Sequence, residues 1–124
     1  MDLTILIISY KSLEKLNKCL ATIGKKRNIL IVENSSNASL KNNIEKDYKN
    51  SRVILNNSNL GYAKAANIGF KNIHTKYALL LNTDIIINES QIDNLEIEIE
   101  KLGNDFTLAS PMTCLLYTSD AADD

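Results

Sequence analysis

The feature that most constrains this chain is a change of hydrophobic period that repeats along its length. Short runs rich in Ile, Leu and Val alternate with stretches whose apolar residues recur every three or four positions. A short run apolar at every position reads as a strand buried on both faces, and the longer period reads as a helix with one buried stripe. Residues 3–8 form the first such run. A helix over about 12–23 follows, with Leu13, Leu16, Leu20 and Ile23 as its stripe, Ser12 to cap its start and Gly24 to end it. A second strand covers 28–33, a polar loop 34–39, and a short helix 40–48 with Leu40, Ile44 and Tyr48 on one face. A third strand covers 52–56. The next helix, about 62–73, carries Ala63, Ala66, Phe70 and Ile73. A very apolar fourth strand covers 77–82. A helix over about 89–102 has Ile92, Leu95, Ile99 and Leu102 as its stripe, and a fifth strand over 106–110 ends at Pro111. Strand–helix alternation of this kind defines an α/β protein, a mainly parallel sheet flanked by helices.

Composition narrows the partners. At 124 residues, with 44% hydrophobic and 23% charged residues, the chain fits one soluble globular domain with its own core, not a disordered one. A formal net charge of −1 gives no reason to expect a nucleic-acid partner. The Lys25-Lys26-Arg27 cluster reads as a solvated turn after a helix. Cys19 falls on the stripe of the first helix and reads as a small buried hydrophobe. Two distant cysteines without an export signal point to a reducing cytoplasm. The opening apolar run is too short to span a membrane, and Asp2 stands where a signal peptide carries positive charge.

The last eleven residues, 114–124, resemble the translation of a sequencing-library transposon adapter. They are read as a non-native tail and set aside from fold reasoning. On that reading residues 1–113 are a domain fragment whose natural reading frame continues past Thr113.

In an open parallel sheet, ligands bind beyond the carboxyl ends of the strands. That rule selects Ser9 and Tyr10 after the first strand, Glu33 and Asn34 at the end of the second, Asn57, Asn59 and Gly61 after the third, and Asn82 and Asp84 at the fourth. Carboxylates at two strand ends, with Asn, Ser and Tyr between them, suit a polar ligand bearing rings and hydroxyls. On position alone Asp84 reads first as a turn or cap residue, and Glu33 reads equally as the first solvated residue after a strand or as a site residue. The first strand–helix turn, Ser9-Tyr10-Lys11-Ser12, has no glycine, so neither a dinucleotide fingerprint nor a P-loop is present. A diphosphate bound here needs another source of positive charge. A divalent cation on hard oxygen ligands, Asp84 with Asn82 beside it, is the natural candidate, as Mg²⁺ or Mn²⁺. His74 reads as a favourable cation at a helix end.

These residues resemble a family. Ile7-Ile8-Ser9-Tyr10-Lys11-Ser12, with Leu16 and Cys19-Leu20, resembles the opening of family 2 glycosyltransferases. Ile31-Val32-Glu33-Asn34-Ser35-Ser36 resembles the family's V-D-N-x-S segment. Asn59 to Gly69 resembles N-x-G-Y-A-x-A-x-N-x-G, and Leu79-Leu80-Leu81-Asn82-Thr83-Asp84 resembles L-L-N-P-D, the local form of the D-x-D metal motif. The likeness covers about residues 3–112 and is nearest to the rhamnosyltransferase-like enzymes of bacterial surface-polysaccharide synthesis.

The resemblance implies a GT-A fold and a nucleoside-diphosphate-sugar donor. It implies Ser9, Tyr10 and Glu33 near base and ribose, Asn59, Gly61 and Asn67 shaping the donor pocket, and Asp84 binding the metal with Asn82 beside it. It implies a saccharide or lipid-linked acceptor, and a cytoplasmic enzyme that at full length can associate peripherally with the inner face of a membrane. The family's catalytic base lies downstream of this region, so no base is assigned and the fragment is expected to be inactive alone. Glu33 stands where the family usually has Asp, and Asn82 where D-x-D has its first Asp. A non-catalytic nucleotide-binding module of the same fold is the first alternative. A nucleotidyltransferase is the second, disfavoured by the lack of a glycine-rich basic loop after the first strand.

Overall fold

The structure is a computed structural model and describes residues 1–103. The chain divides into two compact units, Met1–Glu89 and a second beginning at Ser90. The first unit holds β1 (Leu3–Ser9), α1 (Leu13–Ile23), β2 (Asn28–Glu33), α2 (Ala38–Asp47), β3 (Ser51–Leu55), α3 (Tyr62–Lys71) and β4 (Tyr77–Asn82). Helix α4 (Glu89–Lys101) begins at the last residue of that unit. The expected fifth strand, 106–110, and the string 114–124 lie outside the described residues.

The strands form one sheet in the order β3-β2-β1-β4. All three pairings are parallel, as the α/β pattern implied. β1 is central, and all seven of its residues are buried. That explains its unbroken apolar run, because a strand covered on both faces has no solvent side to mark with polar residues. The core on one side gathers Leu6, Ile8, Leu30 and Val32 of the sheet with Ala65 and Ala66 of α3. Fully burying a side chain such as Leu6 or Leu30 is worth ~2 kcal/mol, so these contacts outweigh any exposed ion pair on the surface.

Helix α3 departs from the expected stripe. Ala63 is exposed and Phe70 is 45% exposed, while the buried face is Ala65, Ala66 and Gly69. The cause is a close approach to β1. A Cβ on Gly69 would lie 2.5 Å from a methyl carbon of Leu6. The helix therefore turns its smallest residues to the sheet and rotates Phe70 away. It also ends two residues early, because the Asn72 side chain donates to the Ile68 carbonyl and closes the last turn. His74 thus lies beyond the helix rather than at its final turn.

Three further differences have local causes. Helix α2 begins at Ala38 rather than 40, because Asn37 Oδ1 accepts the Leu40 N–H as an N-cap. Ser12 precedes α1 without capping it, since its hydroxyl donates to the Tyr10 carbonyl instead. Arg27 is buried, not solvated, in a turn where Asn50 Nδ2 donates to both the Gly24 and Arg27 carbonyls. Strand β4 has only Leu81 buried; Ala78 and Leu80 are exposed, as befits an edge position among the described residues.

The other edge, β3, is protected by side chains. Lys41 Nζ donates to the Val53 carbonyl at 2.6 Å, and the Val53 N–H donates to Glu45 Oε2 at 2.8 Å. Lys41 and Glu45, one helical turn apart on α2, also pair with each other at 2.9 Å. The outward amide and carbonyl of an edge residue are thereby satisfied, which blunts the edge against other chains. The hydrogen bond from Lys41, reinforced by that from Val53, holds the Glu45 carboxyl below its ordinary range. A depressed folded-state pKa contributes stability above the unfolded value, and that stability is lost as pH falls through the folded value. Glu45→Gln should therefore lower the urea midpoint at pH 7, with the difference from wild type shrinking steadily below about pH 4.5. Urea unfolding at pH 7 and pH 3.5 measures it. A difference that grew on acidification would contradict the assignment.

Candidate functional site

Parallel pairing fixes which residues share an edge. In the β1–β2 register Ser9 lies opposite Glu33, and in the β1–β4 register Ile8 lies opposite Asn82. The carboxyl ends of β1, β2 and β4 therefore finish level on one rim. The ladder continues past β2, where the Asn34 N–H donates to the Ser9 carbonyl at 2.8 Å and the Asn56 N–H to the Glu33 carbonyl at 2.9 Å. The loops after β1, β2 and β3 are thus stitched together by backbone before any side chain contributes.

Two neighbouring residues then organise these loops. Glu33 is fully buried and accepts three hydrogen bonds. Its Oε1 accepts from Ser9 Oγ at 2.6 Å, and its Oε2 accepts from the Lys11 N–H at 3.1 Å and from Ser35 Oγ. Burying a carboxylate is costly unless its lone pairs are satisfied, and three donors meet that requirement. Lys11 has φ +49°, and it is the sole non-glycine residue with positive φ among the described residues. Such a backbone costs ~1 kcal/mol for an L-residue, and the bond from its amide to Glu33 offsets that cost. Of the two readings that its position alone allowed, Glu33 is therefore not the solvated strand-end residue.

Asn34 does the same for the next loop. Its Oδ1 accepts from Asn56 Nδ2 at 2.8 Å and from the Leu60 N–H at 3.4 Å, and its Nδ2 donates to the Gly61 carbonyl at 3.2 Å. Both Asn34 and Asn56 are buried. Asn59 Oδ1 accepts the Gly61 N–H at 2.9 Å. Gly61, at the start of α3, has φ +86°, a conformation that favours glycine, although a Cβ there would meet open space. The glycine is set by backbone conformation and not by crowding. Asn67 lies exposed on α3.

Asp84 sits in a β-turn closed by the Ile85 N–H donating to the Asn82 carbonyl at 3.1 Å. Its role as a turn former is thus real, and the turn is closed by backbone rather than by the carboxylate. Asp84 Oδ1 pairs with Lys15 Nζ at 3.0 Å, with both side chains largely exposed. An exposed pair of this kind contributes at most ~1 kcal/mol, so it is easily exchanged for another cation. The structure thus brings Ser9 and Glu33 into direct contact, joins Asn59 to Gly61, and sets Asn82 and Asp84 at the adjoining strand end. Tyr10 is 46% exposed at the same rim, with Lys11 Nζ 5.3 Å from its ring centroid.

Sequence reasoning missed Ser35, Asn56 and Lys15 as members of this region. Ser35 lies within the quoted V-D-N-x-S-like segment, which could have signalled it. Lys15 carries no motif signal at all. A hollow of about 400 Å³ lies between Lys11, Leu13, Ser35, Ser36, Asn37 and Leu40. A larger one, about 640 Å³, opens at the opposite edge and is lined by Asn28, Ser51, Arg52 and His74, among others. Size alone favours the second, but the strand carboxyl ends with their ordered loops favour the first.

No group of three or more His, Cys, Asp or Glu residues able to hold a metal occurs among the described residues. No helix among the described residues is long and apolar enough to cross a membrane. Cys19 is buried, and burial pushes its thiol pKa up, as suits a packing residue rather than a nucleophile.

These features define an α/β protein whose polar rim lies at the carboxyl ends of parallel strands and whose first loop is ordered by a buried acid instead of glycines. The chain belongs to glycosyl transferase family 2, whose family model matches residues 4–119. It is 31% identical over 118 residues to a teichoic acid poly(glycerol phosphate) polymerase of Staphylococcus epidermidis, covering 89% of this chain and 16% of that protein. Its fold is similar to that of S. aureus TarS residues 1–349. The TarS complex with UDP-GlcNAc superposes with a TM-score of 0.64 at 21% identity, and the complex with UDP with 0.66 at 16%. Each comparison covers 82% of this chain and 32% of that one. The family and the GT-A-like fold implied by the motifs are thereby borne out. The match to residue 119 extends into the 114–124 string.

The Asn34 hub yields a direct test. Asn34→Ala leaves the buried Asn56 amide and the Gly61 carbonyl without this partner, which should cost ~2 kcal/mol. The urea midpoint reports the loss; a change under ~0.5 kcal/mol would show that the hub does not hold the loops.

Proposed function

We propose that this chain forms the donor-binding half of a glycosyltransferase that takes a sugar from a nucleoside diphosphate and passes it to a saccharide or lipid-linked acceptor in bacterial surface-polymer synthesis. The observation that carries the reading is the convergence of Ser9, Glu33, Asn82 and Asp84 on one rim of a parallel sheet. The TarS structures, described with UDP and UDP-GlcNAc, support a nucleotide-sugar donor. The teichoic acid polymerase supports a cell-wall polymer as the setting. The motif likeness to rhamnosyltransferase-like enzymes supports the same polymer class. The rim is polar on chemistry as well as position. Helices α1 and α3 start from it, so their positive ends favour an anion there.

Within this reading Ser9, Tyr10 and Glu33 form the base and ribose end. Asn59, Gly61 and Asn67 shape the pocket, and Asp84 with Asn82 holds Mn²⁺ or Mg²⁺. The cation supplies charge stabilisation for the departing nucleoside diphosphate. Asp84 is suited to it because its exposed carboxylate already pairs with a cation, Lys15. Direct displacement also requires a general base on the acceptor hydroxyl. Residues 1–113 are then the donor half, and 114–124 a non-native tail. The protein would work in the cytoplasm, with the whole enzyme reaching the inner face of a membrane to meet a lipid-linked acceptor.

Titration calorimetry of UDP and dTDP against the chain, with and without Mn²⁺, tests the site. Binding should require the metal. Asp84→Ala should weaken it about tenfold or more, the loss of one charge-assisted interaction, while leaving the circular dichroism of the free chain unchanged. Metal-independent binding, or none by a folded chain, would contradict the reading.

A further inference from the structure

We propose that Glu33 is a positioning residue, holding the β1–α1 turn in its binding-competent shape without touching the nucleotide. The inference rests on the donor-site reading above and changes the part that Glu33 plays in it. The usual residue at this point of the motif is Asp. Glu33 has one methylene more, and its carboxylate is wholly buried. It bends back onto its own rim, joining the hydroxyl of Ser9, the amide of Lys11 and the hydroxyl of Ser35.

An ionised carboxylate only accepts hydrogen bonds, and a nucleobase would have to offer it a donor. Three of its roughly four lone-pair sites are taken and none of its surface is exposed, so to reach that donor Glu33 would need to leave this network and turn outward. The turn would then lose the acceptor that holds Lys11 at φ +49°. Tyr10 and Lys11 lie between Ser9 and the start of α1 at Leu13, so the shape of this turn places both at the rim. Glu33 thus acts on the ligand through the turn.

Two substitutions separate this role from direct contact because they predict opposite patterns. Glu33→Gln keeps the length. Its oxygen can accept from Lys11 and Ser35, and its amide can donate to a rotated Ser9 hydroxyl. Glu33→Asp keeps the charge and supplies the residue usual in the family, but falls short of the network. Amide hydrogen exchange of Lys11 in the ligand-free chain and UDP affinity with Mg²⁺ are measured for both variants and the wild type, with folding checked by circular dichroism.

The expected result is that Glu33→Gln changes each by less than about threefold. Glu33→Asp should accelerate Lys11 exchange and weaken UDP by about tenfold, the worth of a hydrogen bond to a charged group. Across all folded variants affinity should track Lys11 protection. Lost affinity with native Lys11 protection, in either variant, would overturn the proposal, as would lost protection with native affinity. If Glu33→Asp does not fold, Glu33→Gln alone decides by the same criterion. Failure of the folded wild type to bind UDP would sink the donor-site reading instead, and Lys11 exchange alone would then decide whether Glu33 braces the turn.

Discussion

Every feature of the candidate site depends on β1 lying between β2 and β4 in parallel register. Ser9 faces Glu33 across one pairing and Ile8 faces Asn82 across the other. A slip of one residue would move each side chain to the other face of the sheet. It would separate Ser9 from the carboxylate that it serves. Burial holds the strand in place, since all seven residues of β1 are buried and six are apolar or β-branched, and the Ser9–Glu33 bond marks the register. Hydrophobic packing thus places the strand on which the polar groups act.

The polar groups in turn hold loops that packing cannot reach. Glu33 and Asn34 are consecutive, so they address different neighbours, one the β1–α1 turn and the other the β3–α3 loop. The strained backbone of Lys11 and the positive φ of Gly61 are located where these hubs act. Strained positions persist when surrounding structure over-determines them, and they concentrate at ligand sites. By contrast, Asp84 sits in an exposed turn with an exchangeable partner. A rim with two rigid loops and one labile carboxylate is organised on one side and adaptable on the other.

The sequence made the sheet legible because period and burial are the same information. β2 and β4 begin and end where their apolar runs do, and α1 ends at Gly24. What it concealed were contacts between elements. Gly69 looked incidental, yet its missing side chain lets α3 meet Leu6 and thereby turns Phe70 outward. Asn37 looked like loop, although its side chain caps α2. At the site, the motifs located Ser9, Glu33, Gly61 and Asp84 at strand ends because strand ends follow from the apolar pattern. They could not show that Glu33 points inward, since exposure depends on Ser35 and Lys11 closing over it. Lys15 was illegible, because its approach to Asp84 follows from the β1–β4 pairing and not from local sequence.

The account stands on one rim receiving a nucleotide. The most direct measurement is an amide chemical-shift map of the chain with increasing UDP in the presence of Mg²⁺. Shifts should concentrate at 9–12, 33–35, 59–62 and 82–85, with Asn28, Ser51 and Tyr77 at the opposite edge unmoved. Saturable shifts centred on that opposite edge, with the rim unchanged, would contradict the account.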